Sequence, residues 1–125
     1  LRRCCEALAA ADYLSRAIRD YRREARAGRV PFAVAELLDA GIGNDDLAAE
    51  VPPAPLLRYL EDLRERAAGG FASAARALPQ AERRRHRHLL VLAALELDAL
   101  HGGPRRPRVR RFKDMLLAWN SARRA

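Results

Sequence analysis

The chain has 125 residues, which is enough for one domain with a modest hydrophobic core. Alanine and leucine dominate, aromatic and β-branched residues are few, and no apolar run reaches the ~20 residues of a membrane-spanning helix, so we expect an all-α protein without such a helix. The net charge of +8 raises the question of a nucleic-acid or anionic-membrane partner, but 23 arginines and one lysine are typical of a GC-rich genome, which weakens this charge as a functional signal.

The first predicted element is a helix over residues 2–27, because apolar residues recur there at helical spacing. Gly28 can close this helix, and Pro31 prevents it from continuing. A short apolar helix, FAVAELLDAG, follows and ends at Gly41, and GNDDLAAEVPP then predicts a turn of helix with Asn44 as its N-cap. The apolar stripe of the first helix consists of Leu14, Ile18, Tyr21 and Ala25.

Three more helices are predicted in the rest of the chain. The first spans about residues 54–78, and its Gly69-Gly70 pair indicates either a kink or the close approach of another helix. Residues 80–100 form a helix whose first half is basic and whose second half is apolar almost all round, so we expect that half to be buried on several sides. A last amphipathic helix, about 108–124, carries on one face Val109, Phe112, Leu116 and Trp119.

Asp20 and Glu24 form the most informative pair of side chains in the first helix. Four residues apart, they lie about 40° from each other around the helix axis and share a stripe with Tyr13 and Arg16. Carboxylates at this spacing can hold Mg²⁺ and leave positions for water and phosphate oxygens. The same stripe lies opposite the apolar one, where Arg16 and Arg23 can each neutralise Asp20 as ordinary surface pairs. Spacing alone leaves both interpretations open.

Other kinds of site are absent or weakly indicated. The sequence has no Gly-rich phosphate loop, no nucleophile elbow and no paired His/Cys ligand set. His86 and His88 are two residues apart and face different directions on a helix, which argues against a metal site. The run RRRHRH is more typical of a solvated helix face than of a nucleic-acid contact, and RRPRVRR lacks the aromatic platforms of single-strand binders. Adjacent cysteines rarely bridge, so Cys4 and Cys5 are expected to be reduced in a cytoplasmic protein.

The segment RAIRDYRREARAGRVPFAVAELLDAGIGNDDL resembles the second half of a squalene/phytoene synthase domain. In that family, a helix of the pattern N-I-x-R-D-x-x-x-D precedes R-G-R-x-Y-L-P, a short helix and an acidic D-L. Arg19 and Asp20 match the R-D pair, and Glu24 falls at the second aspartate. Gly28 and Arg29 match the following G-R. The order continues through FASAARALP, an apolar helix and RRPRVRRFKDMLLAW, so the resemblance covers essentially the whole chain.

The resemblance implies an all-α, isoprenoid-synthase-like helical bundle in which two aspartate-rich helices bind Mg²⁺-diphosphate across a cavity. Residues 1–125 are then expected to be the C-terminal half of that single domain, inactive alone, with the first aspartate-rich helix upstream of Leu1. The implied protein is a prenyltransferase that condenses two prenyl diphosphates head to head and releases diphosphate. The resemblance makes Asp20 and Glu24 the catalytic Mg²⁺ ligands. The implied substrate-binding residues are Tyr13, Arg16, Arg19 and Arg29.

Departures from the family pattern keep two other functions in view. Arg16 stands where the family has Asn, Tyr13 where it often has Gln, and Glu24 replaces Asp. Arg16 can bind diphosphate, or it can neutralise Asp20 and spoil the metal site. Some relatives of this family have lost catalysis and serve as assembly factors for respiratory complex I; they end in a Trp-containing basic helix, similar to LAWNSARR. A basic helical nucleic-acid-binding module is a third, weaker alternative.

A peripheral contact with an anionic membrane is the remaining expectation. Prenyl substrates partition into lipid, and arginines near an anionic surface each contribute about 1 kcal/mol of attraction. The alternative is a solvated run of arginines without a partner. The candidate residues are Arg105, Arg106, Arg108, Arg110 and Arg111.

Overall fold

The computed structural model describes residues 1–101 and 107–124, with side chains for residues 1–101 and 115–123. Helices and their connections account for all of these residues, and no strand occurs among them, which confirms the predicted all-α class. The helices are α1 (Arg2–Arg26), α2 (Val34–Asp39), α3 (Asn44–Ala48), α4 (Ala54–Ala77), α5 (Gln80–Arg83), α6 (Arg87–His101) and α7 (Pro107–Arg124).

Two predicted helix boundaries were wrong. The helix expected over residues 80–100 is divided into α5 and α6. Near the end of α5, the Arg83 side chain donates hydrogen bonds to the carbonyl oxygens of Ala75 and Leu78. The N-cap of α3 is Gly43 and not Asn44. The cap is completed by the Asp46 carboxylate, which accepts a 2.7 Å hydrogen bond from the Gly43 amide.

The chain divides into two compact units, here called the middle unit (Tyr13–Arg66) and the terminal unit (Leu1–Asp12 with Ala67–Ala125). The core of the middle unit is an aromatic cluster in which Phe32 contacts both Tyr21 and Tyr59, with ring centroids 6.1 Å and 5.4 Å apart. Such tilted and edge-on contacts are the favoured geometries of aromatic pairs. Aliphatic side chains that are almost fully buried complete this core: Leu37, Ile42, Leu47, Leu56, Leu60 and Leu63.

The core of the terminal unit is built from smaller residues. A Cβ atom added at Gly70 would lie 2.9 Å from the Cβ of Ala11, so these two positions of α1 and α4 are in direct contact. Of the two explanations for the Gly69-Gly70 pair, close approach therefore applies at Gly70, and α4 runs through both glycines. The buried residues of this core are Cys4, Leu8, Ala11, Phe71, Ala74, Leu78 and Ala93.

The apolar half of α6 is less buried than the sequence predicts. Ala93 is its one buried residue, Leu92 is 40% exposed, and its other leucines are half-buried. α6 packs against α7 and, through Leu89, Leu90, Leu97 and Leu100, against the core of the terminal unit. Among the described residues, no helix has both the length and the apolar content needed to cross a bilayer.

Candidate functional site

The C-terminus of α1 reverses the chain and brings Arg29 back onto the helix. Gly28 has a φ of +74°, a left-handed conformation that costs a residue with a Cβ about 1 kcal/mol or more. The Gly28 amide donates to the carbonyl of Ala25 and the Arg29 amide to the carbonyl of Glu24, the hydrogen-bond pattern of a Schellman motif. Because the backbone of Arg29 lies over the last turn, its side chain begins beside Glu24.

Arg29 and Glu24 form the shortest ion pair of this site. The Arg29 Nε atom donates to Glu24 Oε2 at 2.6 Å. The hydrogen bond from Arg29 is the largest influence that holds the pKa of Glu24 below its ordinary value, and the positive charges of Arg29 and Arg23 act in the same direction. Glu24 is therefore an ionised carboxylate at neutral pH, which is the form that a metal ion or a guanidinium group binds.

Asp20 and Glu24 converge on a single cationic atom. The Nη2 atom of Arg23 lies 3.3 Å from Asp20 Oδ2 and 3.5 Å from Glu24 Oε1. One guanidinium nitrogen thus contacts both carboxylates, and their side chains remain 38% and 25% exposed, so solutes can reach them. The two carboxylates therefore share one cationic group, the guanidinium of Arg23.

The other predicted substrate-binding residues have different surroundings. The Tyr13 hydroxyl donates to the carbonyl of Pro31 at 3.1 Å, which ties α1 to the segment that follows the reversal. Arg16 is exposed one turn before Asp20 on the same stripe. Arg19 donates a hydrogen bond to the hydroxyl of the buried Ser15. Ser15 lies about 140° around the helix axis from Asp20. Tyr13 and Arg16 therefore share the stripe of the carboxylates, whereas the Arg19 side chain extends away from it toward Ser15.

The donor set fits a Mg²⁺ ion that a phosphate ligand shares. Mg²⁺ prefers oxygen ligands and is usually held in enzymes by one or two carboxylates together with substrate phosphates and water. Asp20 and Glu24 would supply two carboxylates to such an ion. In the part of the chain that the structure describes, no group of three or more His, Cys, Asp or Glu side chains is arranged to hold a metal ion. Protein ligands alone would therefore leave most of the coordination shell to water or phosphate.

A second polar feature of the middle unit, which we call the acidic cleft, lies between α2 and α4. It has a volume of about 620 Å³. The Tyr59 hydroxyl and Arg66 Nη1 both donate to the same Glu36 oxygen, at 3.0 Å and 3.1 Å. Arg66 and Tyr59 hold the pKa of Glu36 below its ordinary value, and burial together with Glu36 raises the pKa of Tyr59 to about 12. The lining residues are Glu36, Asp39, Ala40, Tyr59, Asp62, Glu65 and Arg66.

The sequence analysis missed two of these arrangements for different reasons. The Glu24–Arg29 pair spans five residues, which is not a helical pairing distance, but the helix stop at Gly28 was a usable signal for it. Glu36 lies 23 positions before Tyr59 and 30 before Arg66, and no local pattern links it to these two side chains.

No protein-family model, curated protein or solved structure matches this chain. No comparison therefore bears on the sequence resemblance, and family, activity and substrate are all taken up as proposals.

Proposed function

We propose that this chain is part of a squalene/phytoene-synthase-like prenyltransferase, which joins two prenyl diphosphates head to head and releases diphosphate. The observation that best supports the proposal is the convergence of Asp20 and Glu24 on one cationic atom, Arg23 Nη2. Two accessible carboxylates that share a cationic group on an arginine-rich helix form a suitable half-site for a metal-bound diphosphate.

The charge around the carboxylates favours a diphosphate ligand. Residues 13–30 contain six arginines against Asp20 and Glu24, so the segment attracts anions despite its acidic pair. A guanidinium group binds phosphate oxygens as well as carboxylates, and often through two parallel hydrogen bonds. We therefore assign Arg23 and Arg29 an exchange of partners, in which they leave the carboxylates and bind phosphate oxygens when the ligand arrives.

The proposed reaction divides its tasks among these side chains. When bound, Mg²⁺ neutralises the negative charge that develops on the leaving diphosphate. Asp20 and Glu24 would hold the metal ion at the end of α1. Arg16, Arg19 and Arg29 would orient the diphosphate while the bond between its oxygen and the allylic carbon breaks. The departing oxygen keeps the electron pair, the allylic cation alkylates the double bond of the second prenyl chain, and the new carbocation loses a proton to give a neutral product.

A second candidate is a family relative without catalysis, and the ion pairs of the site favour it. Asp20 and Glu24 both contact Arg23, and Glu24 also contacts Arg29, so arginine can permanently occupy the place of the metal. The resemblance gives such a relative a role in the assembly of respiratory complex I. In this alternative the carboxylate pair stabilises the end of α1 and binds no metal.

Calorimetric titration with inorganic diphosphate, with and without Mg²⁺, separates the two candidates. We expect Mg²⁺ to strengthen diphosphate binding and Asp20→Asn to weaken the Mg²⁺-dependent binding about tenfold, or ~1.4 kcal/mol, without changing the helical circular dichroism. Asp39→Asn, an exposed carboxylate at the end of α2, is the matched control and should have no effect. Binding that ignores both Mg²⁺ and Asp20→Asn would contradict the enzyme proposal and favour the inactive relative.

A further inference from the structure

Among residues 115–123 of α7, whose side chains the structure describes, the exposed face carries most of the larger apolar side chains. Met115, Leu116 and Trp119 are 60%, 45% and 61% exposed. α7 packs against α6. The half-buried positions of α7 are Leu117, Ala118, Ser121 and Ala122, three of which have small side chains. A surface helix usually has the opposite arrangement, with its large apolar residues covered.

The spacing of these exposed residues produces a continuous stripe. Met115, Trp119 and Arg123 follow one another at i, i+4 and i+8, so they lie on one side of the helix, with Leu116 beside them. The guanidinium carbon of Arg123 lies 5.3 Å from the centroid of the Trp119 ring, within the range of a cation–π contact. An indole ring with an adjacent cation is suited to the boundary between lipid head groups and acyl chains.

Charge restricts what can cover this face. Residues 105–125 contain seven arginines and one lysine against a single aspartate, so they carry seven of the eight net positive charges of the chain. A suitable partner must therefore be apolar and anionic together. A second copy would bring one cationic segment, residues 105–125, near another, and nucleic acid would supply phosphates without an apolar surface for Met115 and Leu116.

We propose that the exposed face of α7, formed by Met115, Leu116, Trp119 and Arg123, docks in the surface of a lipid bilayer that contains anionic lipids. The apolar side chains enter the head-group region, and the basic residues of the segment pair with lipid phosphates and carboxylates. Of the arginines that the sequence predicts for membrane contact, Arg105 and Arg106 lie outside the described residues. Only the backbone of Arg108, Arg110 and Arg111 is described.

This proposal does not rest on the prenyltransferase proposal. The α7 face and the carboxylates of α1 are tested by different ligands, vesicles and diphosphate. Asp20→Asn should lose diphosphate binding and keep vesicle binding. An α7 variant should lose vesicle binding and keep diphosphate binding, so the two proposals can fail independently.

Trp119 provides a direct measurement because it is the one tryptophan of the chain. Its fluorescence is recorded as vesicles of phosphatidylcholine alone, or of phosphatidylcholine and phosphatidylserine in equal parts, are added to the 125-residue chain. We expect a shift to shorter wavelength, with co-sedimentation, for the anionic vesicles and little change for the neutral ones. Added salt should weaken the binding, because counter-ions screen the attraction between the basic residues and the lipid charges.

A matched pair of substitutions tests the location of the contact. Leu116→Glu should reduce binding to the anionic vesicles about tenfold or more, since it places a like charge at the membrane surface and removes an apolar contact. Leu57→Glu, at a leucine of α4 that is 52% exposed, should leave the binding unchanged. Met115→Glu replaces Leu116→Glu if the latter alters the helical circular dichroism.

Several outcomes would overturn the proposal. Equal binding to neutral and anionic vesicles would remove the role of charge, and wild-type binding by Leu116→Glu and Met115→Glu would remove the role of this face. A Trp119 shift that requires no lipid, rises with protein concentration and is lost in Leu116→Glu would assign the face to a second copy of the chain. A shift caused by duplex nucleic acid but not by vesicles would assign it to that partner.

Discussion

The middle and terminal units are stabilised in different ways. In the middle unit, side chains far apart in the sequence meet through specific polar contacts, such as Tyr59 and Arg66 on Glu36, and Arg22 on the carbonyl oxygen of Glu50. The terminal unit depends on close packing of small residues, and its last helix exposes large apolar side chains. The polar network of the middle unit is suited to position charged groups, whereas the exposed apolar face of the terminal unit is suited to bind another surface.

The largest expected change in the free energy of unfolding comes from a substitution in the packed interior of the terminal unit, and a substitution on its exposed face is the comparison. Phe71 is 1% exposed, so Phe71→Ala should lower the free energy of unfolding by about 3–5 kcal/mol, through lost burial and the cavity that remains. Trp119→Ala removes a larger aromatic side chain from the face of α7 and should change that free energy by no more than about 0.5 kcal/mol. Urea unfolding followed by circular dichroism measures both. A large loss in Trp119→Ala would mean that the α7 face belongs to the core.

The close packing of the terminal unit is tested by its two adjacent glycines. Gly70→Ala places a methyl group 2.9 Å from the Ala11 Cβ, and the resulting separation of the helices should cost about 1–3 kcal/mol, reduced by the helix preference of alanine. Gly69→Ala meets no atom within 4 Å and should stabilise the protein by up to about 1 kcal/mol. Thermal unfolding compares the two variants. Equal effects would show that α1 and α4 do not approach closely at Gly70.

The polar network of the middle unit gives a smaller effect that depends on pH. Tyr59→Phe removes the hydrogen bond to Glu36 and should lower the free energy of unfolding by about 1 kcal/mol at neutral pH. The pKa of Tyr59 is raised to about 12, so its neutral form is favoured in the folded state. Stability from this shift is therefore complete below the ordinary pKa of tyrosine, about 10, and declines as the pH rises from there toward 12.

Denaturation at a series of alkaline pH values tests whether stability declines with rising pH, as the raised pKa of Tyr59 predicts. The wild-type protein should lose stability between about pH 10 and 12 more steeply than Tyr59→Phe, because only the wild type contains this shifted group. Tyr13→Phe, at an exposed tyrosine, is the control and should retain the wild-type slope. Equal slopes for all three proteins would contradict the buried environment assigned to Tyr59.

Local patterns were sufficient to predict the helices but not the contacts between them. Helical spacing, proline positions and Gly28 predicted α1 and α4 to within one residue at each end. The break between α5 and α6 was missed because residues 80–101 carry no proline or glycine before Gly102 that marks a helix end. The exposure of Trp119 was equally hidden, since the sequence places Trp119 and Leu116 on the apolar face of the last helix but does not show whether a neighbour covers that face.

The candidate site was only partly predictable for the same physical reason. The four-residue spacing placed Asp20 and Glu24 together, and the three-residue spacing allowed the pair between Arg23 and Asp20. The contact of Arg29 with Glu24 depends on the chain reversal at Gly28, and the network around Glu36 depends on tertiary packing. Whether a metal-bound diphosphate displaces the arginines is a matter of competing affinities, which neither spacing nor geometry determines.

The most direct test of the metal site uses Mn²⁺, a paramagnetic substitute for Mg²⁺ that selectively broadens the NMR signals of nearby residues. With inorganic diphosphate present, our proposal predicts broadening around Asp20, Glu24 and Arg29, and its loss in Asp20→Asn. The acidic cleft, with Glu36, Asp39, Asp62 and Glu65, is the internal comparison and should be affected much less. Broadening centred on the cleft, or none near Asp20 and Glu24, would contradict the proposal that this carboxylate pair binds a metal-bound diphosphate.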